Sequence, residues 1–128
     1  MKLLLDTHTF IWWANEPEKL SEKVVAACRD SNNTLILSVV SAWEMQIKMQ
    51  LGKLKISRPI EELIKTQQQT NGLHVLPVEL AHVLNLNNLP SHHKDPFDRL
   101  LIAQATIEGA TLVSVDPAFS SYSVQLLW

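Results

Sequence analysis

The chain alternates short, continuous apolar runs with longer stretches of helical periodicity. Leu3-Leu4-Leu5, Thr34 to Val39, Leu73 to Leu76 and Thr111 to Val115 read as buried strands, and Val124 to Leu127 as a short further one. Helical pattern covers Phe10 to Trp13, Ser21 to Arg29, Pro59 to Gln69, Val78 to Leu86 and Pro96 to Glu108. Ser41 is expected to cap another helix running to about Leu51, and Ser57 to cap the one beginning at Pro59. Gly52, Gly72 and Gly109 fall just past helical stretches, where a left-handed residue ends a helix. Strands that are apolar throughout, alternating with helices, predict a mostly parallel sheet covered on both faces. The expected fold is therefore a three-layer α/β/α sandwich with four to five strands; strand order does not follow from the pattern.

Composition narrows this little. The sequence is 46% hydrophobic and 19% charged, as an ordinary globule is, and residues 1–128 are expected to form one domain. The lone Cys28 has no partner for an internal disulfide or a thiolate metal site. Lys2 is followed by only three leucines before Asp6, too few for a secretory leader, and no apolar run is long enough to span a membrane. A cytoplasmic protein without membrane attachment is expected. The net charge of −2 means that a polyanionic substrate would need a local basic patch or a bound cation.

Ligands of open parallel sheets bind outside the carboxyl ends of the strands. Asp6 follows the first strand, and Asp116 is expected directly after the fourth, in Leu112-Val113-Ser114-Val115-Asp116. Glu44 is expected in the first turn of the helix after the second strand, and Asp98 in the first turn of the helix feeding the fourth. Four acids distant in sequence would then share one edge of the sheet. Crowding them together unaided would cost several kcal/mol in repulsion and desolvation. A divalent cation such as Mg²⁺ or Mn²⁺ removes that cost, and such a cluster suits activation of water for displacement at phosphorus. Each acid also has a simpler reading. Ser41-Ala42-Trp43-Glu44 has the form of a capping box, Glu44 with Lys48 is an i,i+4 ion pair, and Asp6 and Asp116 could merely start turns.

The segment His92-His93-Lys94-Asp95-Pro96-Phe97-Asp98-Arg99-Leu100-Leu101-Ile102-Ala103-Gln104-Ala105 carries two aspartates three residues apart. Asp95 as N-cap puts Pro96 at the favoured first helical position and Asp98 at the third. At 100° per residue Asp98 heads an apolar stripe with Leu101, Ile102 and Ala105, whereas Arg99 and Thr106 point elsewhere. Asp95 is therefore read as a cap and Asp98 as a functional carboxylate.

These segments, with Leu3-Leu4-Leu5-Asp6-Thr7-His8, Ser41 to Lys48, Leu51-Gly52-Lys53-Leu54 and Leu112 to Phe119, run through nearly the whole chain in one order. Together they resemble the PIN-domain superfamily and, within it, the VapC-type ribonuclease toxins of toxin–antitoxin pairs. The resemblance implies a Mg²⁺- or Mn²⁺-dependent endoribonuclease on an α/β/α sandwich, forming a homodimer and silenced by a small antitoxin protein. It sets the acidic quartet on Asp6, Glu44, Asp98 and Asp116. Asp6 and Asp116 would bind metal directly; Glu44 and Asp98 would hold a second ion or orient its waters. Thr7 could position water at the ion, and Ser114 stands where the family often has Thr, retaining an oxygen for the site.

Lys48, Lys53, Lys55 and Arg58, with Lys94 and Arg99, are candidate RNA contacts whose default role is as solvated surface charge. His92 and His93, beside Lys94, could touch phosphate but by default form a polar loop. His8, near Asp6, could be an acid–base group but reads as structural, and the four tryptophans as core or dimer interface. Two alternatives remain. A haloacid-dehalogenase-type phosphatase would need a second Asp where His8 stands, and a catalytically silent PIN-like binding domain would bind no metal.

Overall fold

In the computed structural model, which describes residues 1–128, the first apolar run becomes strand β1 (Lys2–Leu5) at the centre of a five-stranded sheet. Its neighbours are β2 (Thr34–Ser38) and β4 (Thr111–Val113), with β3 (His74–Leu76) and β5 (Leu126–Leu127) at the edges. The order is β3-β2-β1-β4-β5, and all four pairings are parallel. Leu4 lies in register with Ile36 on one side and Leu112 on the other.

This pairing explains why the strands are apolar at consecutive positions. Side chains alternate between faces, and both faces are covered. Leu3 and Leu5 enter one core with Leu35, Leu37 and Val113, whereas Leu4 enters the other with Ile36 and Leu112. The first core is filled by Phe10 and Ile11 of α1 (Thr7–Asn15), Val24 and Cys28 of α2 (Glu22–Arg29), Met45 of α3 (Val39–Gln50), and Ile60 and Leu63 of α4 (Ile60–Asn71). The second is filled by Leu101, Ile102 and Ala105 of α6 (Pro96–Glu108), with Phe119 and Tyr122. The short α5 (Leu80–Leu84) packs against α6. Burial pushes the Cys28 thiol up to about 11, which leaves it an inert part of the first core.

The chain steps outward from β1 to β2 and β3, then crosses to the other side of β1 to lay down β4 and β5. The direction of winding reverses between β1 and β4. That reversal opens a crevice at the carboxyl ends of these two strands, the place where doubly wound sheets take their ligands.

Several boundaries differ from expectation. Ser41 does not cap α3: the cap is Ser38, whose hydroxyl accepts the Val40 amide at 3.1 Å, so β2 passes into α3 without a loop. Ser38 prevails because its hydroxyl also donates to buried Gln104 Oε1 at 2.5 Å, which fixes the strand end. Ser41 lies inside the helix, fully buried, and its hydroxyl has no partner. Glu44 consequently belongs to the second turn of α3 rather than the first. Pro59 itself is the N-cap of α4 in place of Ser57, without a side-chain hydrogen bond; Glu61 and Glu62 supply negative charge to the first turn.

The helix expected over Val78 to Leu86 is shorter, since the Glu79 amide donates to His82 Nδ1 at 2.9 Å and fixes the start of α5 at Leu80. Past Leu84 the chain tightens into a 3₁₀ turn over Asn85–Asn88. Strand β4 ends at Val113 because the Ser114 hydroxyl accepts the Asp116 amide at 3.0 Å and turns the chain away. Asp116 thus follows the strand after a turn rather than directly. The glycine stops hold: Gly72 and Gly109 adopt left-handed conformations at φ 64° and 63° as the C-caps of α4 and α6.

Candidate active site

A cleft of about 430 Å³ lies at the β1/β4 crevice, and Asp6, Glu44, Asp98 and Asp116 all line it, together with Thr7, His8, Trp12, Lys48 and Asp95. The four acids reach it from four different elements. Asp6 leaves the end of β1 and caps α1, with Oδ1 accepting the Thr9 amide at 2.8 Å. Asp116 follows β4 and caps the 3₁₀ turn Pro117–Ser121, with Oδ1 accepting the Ala118 amide at 2.9 Å. Glu44 comes from α3 and Asp98 from the first turn of α6.

Each carboxylate has a partner that sets its direction. Asp6 Oδ2 accepts the Ser114 hydroxyl at 2.5 Å. Glu44 is held at both oxygens, by the Thr7 hydroxyl at 2.6 Å and by Lys48 Nζ at 2.8 Å. Asp98 Oδ2 meets His93 Nε2 at 2.8 Å. Asp6 and Glu44 are each only 7% exposed, so the donors that face them offset much of the cost of burying charge.

Thr7 and Ser114 are also brought to the acids, though in a particular manner. Their protons are spent on Glu44 and Asp6, and both residues are buried, Ser114 behind the residues that line the cleft. They act on the cleft through the carboxylates they hold.

Asp95 is the N-cap of α6: its Oδ1 accepts the amides of Phe97 at 2.8 Å and Asp98 at 3.2 Å. The start so fixed sets the rotation of the helix. Leu101, Ile102 and Ala105 turn into the second core, and Asp98 at the head of their stripe meets the cleft. Burial raises the Asp98 carboxyl to about 6, its bond to His93 pulls the other way, and the charges of Asp95 and Glu44 add to the rise.

His93, expected in a polar loop with at most a phosphate contact, instead meets the Asp98 carboxylate. Its contact with Asp98 depends on the path of a non-repetitive segment, which periodicity does not encode. Its nitrogen and the carboxylate oxygens of Asp95 and Asp98 lie within 4.8 Å of one another. Among the basic candidates, Lys48 belongs to the cleft wall and is tied to Glu44. Arg99 is not free for a phosphate: its guanidinium donates to the carbonyls of Pro90, His93 and Leu86 and to the Tyr122 hydroxyl. Arg58 pairs with Glu62 and bonds Thr66. Trp43 is 61% exposed, with its indole edge-on to Phe97 at 5.1 Å, and so is not a core residue of the single chain.

The donor set suits a hard divalent cation. It consists of carboxylate oxygens converging from separate elements, several already oriented, and it contains no thiolate.

The architecture and sequence have relatives. Over 121 residues the chain is 27% identical to the ribonuclease VapC22 of Mycobacterium tuberculosis, an alignment covering 94% of this chain and 91% of that protein. A shorter stretch of 57 residues is 35% identical to the ribonuclease VapC16 of the same organism, covering 44% of this chain and 40% of that protein. Among solved structures, a chain of the VapBC2 complex from Rickettsia felis, bound to a DNA fragment from its promoter, superposes with a TM-score of 0.74 at 18% identity, covering 99% of this chain and 98% of that one. A chain of DNA-bound VapBC from Salmonella typhimurium matches with a TM-score of 0.69 at 14% identity, over 99% of this chain and 97% of that one. The family profile described as PIN domain matches residues 3–124, and the chain belongs to that family.

Proposed function

We propose that this protein is a metal-dependent endoribonuclease, the toxin of a toxin–antitoxin pair, and that Asp6, Glu44, Asp98 and Asp116 are its catalytic and metal-binding residues. The observation that carries the reading is the convergence of these four acids on one cleft at the strand-order reversal, each oriented by a hydrogen-bond partner. The ribonuclease relatives support RNA as substrate, and the antitoxin complexes among the structural relatives support a small protein partner.

Mg²⁺ or Mn²⁺ held among these acids would activate water and stabilise charge developing on the phosphate. The protein supplies the rest. Asp6 leaves the end of β1, Asp116 follows β4 after a turn, and the two strands are paired in register beneath them. Glu44 and Asp98 face them from α3 and α6. Thr7 and Lys48 hold Glu44 and aim it, and Ser114 does the same for Asp6. Lys48, at the cleft wall, also offers positive charge to a substrate phosphate.

Exposed Val39 and Trp43 of α3, with Leu80, Val83 and Leu84 of α5, leave apolar surface for protein partners, in keeping with a homodimer and an antitoxin. No helix is long and apolar enough to cross a membrane.

The test is cleavage of RNA with and without Mg²⁺ or Mn²⁺, comparing the wild type with Asp6→Asn and Asp98→Asn. Both substitutions should lower turnover at least about 100-fold while the fold is kept, since each removes a carboxylate that would hold the cation. Equal cleavage by all three proteins would overturn the assignment. Absence of Mn²⁺ binding to the wild type would favour a silent binding domain instead.

A further inference from the structure

The loop before α6 is held with more care than a connector requires. Its residue His93 has both backbone groups engaged. The amide donates to the Tyr122 hydroxyl at 2.8 Å, and the carbonyl accepts from Arg99 Nη1 at 3.4 Å. Arg99 reaches the same loop again at the Pro90 carbonyl, 2.9 Å away, and touches the Tyr122 hydroxyl at 3.3 Å. Tyr122 is itself buried, so the loop is tied to the second core. The His92 ring lies edge-on to Tyr122 at 5.6 Å.

What this anchoring fixes is the His93 imidazole, whose Nε2 stands 2.8 Å from Asp98 Oδ2. Against a carboxylate, that nitrogen is the donor. It is the one hydrogen-bond partner of the Asp98 side chain, and it leaves Oδ1 free for the cleft. Asp6 and Asp116 are oriented by amides of their own turns, and Glu44 by neighbouring side chains on packed helices. Asp98 depends on a residue from the long loop before α6, and that loop is pinned from two directions.

We infer that His93 is a positioning residue for Asp98: it fixes one carboxylate oxygen so that the other points into the cleft ready for a cation. This rests on the metal-dependent reading above. A ligand carboxylate without its orienting partner can rotate out of line, and removal of such partners typically weakens metal affinity about 10–100-fold.

The experiment is calorimetric titration of Mn²⁺, and separately Mg²⁺, into the full chain carrying His93→Ala, His93→Gln or Asp6→Asn. Thermal melting without metal checks that each variant is folded. His93→Ala should bind both ions about 10-fold more weakly. His93→Gln, whose amide reaches Asp98 Oδ2 from a similar distance, should recover most of the affinity. Tyr122→Phe, which frees the loop but keeps the ring, should show a smaller loss in the same direction.

Wild-type affinity in a folded His93→Ala protein would overturn the inference. So would loss of Mn²⁺ alone without rescue by glutamine, which would make His93 a direct ligand. If Asp6→Asn abolishes binding while His93→Ala does not, the metal site stands and only the role of His93 fails. If the wild type binds neither ion, the metal-dependent reading fails and takes this inference with it.

Discussion

Ser114 Oγ donates to Asp6 Oδ2 at 2.5 Å across 108 residues of sequence, and Ser114 Oγ also accepts the amide of Asp116 at 3.0 Å. One small side chain thus links the ends of the two central strands and sets the spacing of two acids. Ser114→Thr should retain cleavage, because threonine keeps the oxygen. Ser114→Ala should lower turnover about 10-fold or more while leaving RNA affinity nearly unchanged. The measurement is steady-state cleavage of a defined RNA by the three proteins.

Ser41 gives a prediction of opposite sign. A buried hydroxyl without a partner costs free energy that an apolar methyl does not. Ser41→Ala should therefore be neutral or raise stability by about 1 kcal/mol, as read by chemical denaturation. A loss of more than that would reveal a partner for the hydroxyl.

Asp95 separates capping from chemistry. Asp95→Ala should cost about 1 kcal/mol of stability, and Asp95→Asn, which caps as well, should cost little. Turnover by folded Asp95→Ala should remain largely intact. Urea melts alongside cleavage assays distinguish these outcomes; loss of catalysis in the folded alanine variant would move Asp95 into the reacting set.

Asp98 predicts a pH dependence. Its carboxyl is raised from 3.8 to about 6, chiefly by burial, so between those values the folded state holds a proton that the unfolded chain has released. On this account the metal-free protein loses stability as pH rises through that window. Asp98→Asn, which carries no charge, should flatten this part of the stability curve. Protons and cations compete for the same oxygens, so Mn²⁺ affinity should weaken as pH falls through about 6. Thermal melts and titrations from pH 4 to about 8 would record both trends.

Much of the site was legible in the sequence because its acids stand at element ends, where caps and turns carry strong local signals. Asp95 with Pro96 announces a helix start, and that start sets the face of α6 from which Asp98 projects. The Glu44–Lys48 pair follows from a four-residue helical spacing. What escaped reading depends on distant partners. Ser38 rather than Ser41 caps α3 because Gln104, 66 positions away, engages its hydroxyl. His93 reaches Asp98 because Tyr122 and Arg99 hold a loop with no periodicity of its own. Strand order was equally hidden, since every apolar run is compatible with a central place in a parallel sheet.

The central position of β1 has a consequence for synthesis. The first strand can pair with β2 early, but its other edge stays open until β4 emerges more than a hundred residues later. Asp6 acquires Ser114, and through it the turn that carries Asp116, only at that late step. Contacts of such long sequence separation form slowly, because loop closure must precede their reward. On this topology the cleft is assembled last, so a nascent or prematurely ended chain carries three of the four acids without the means to cut.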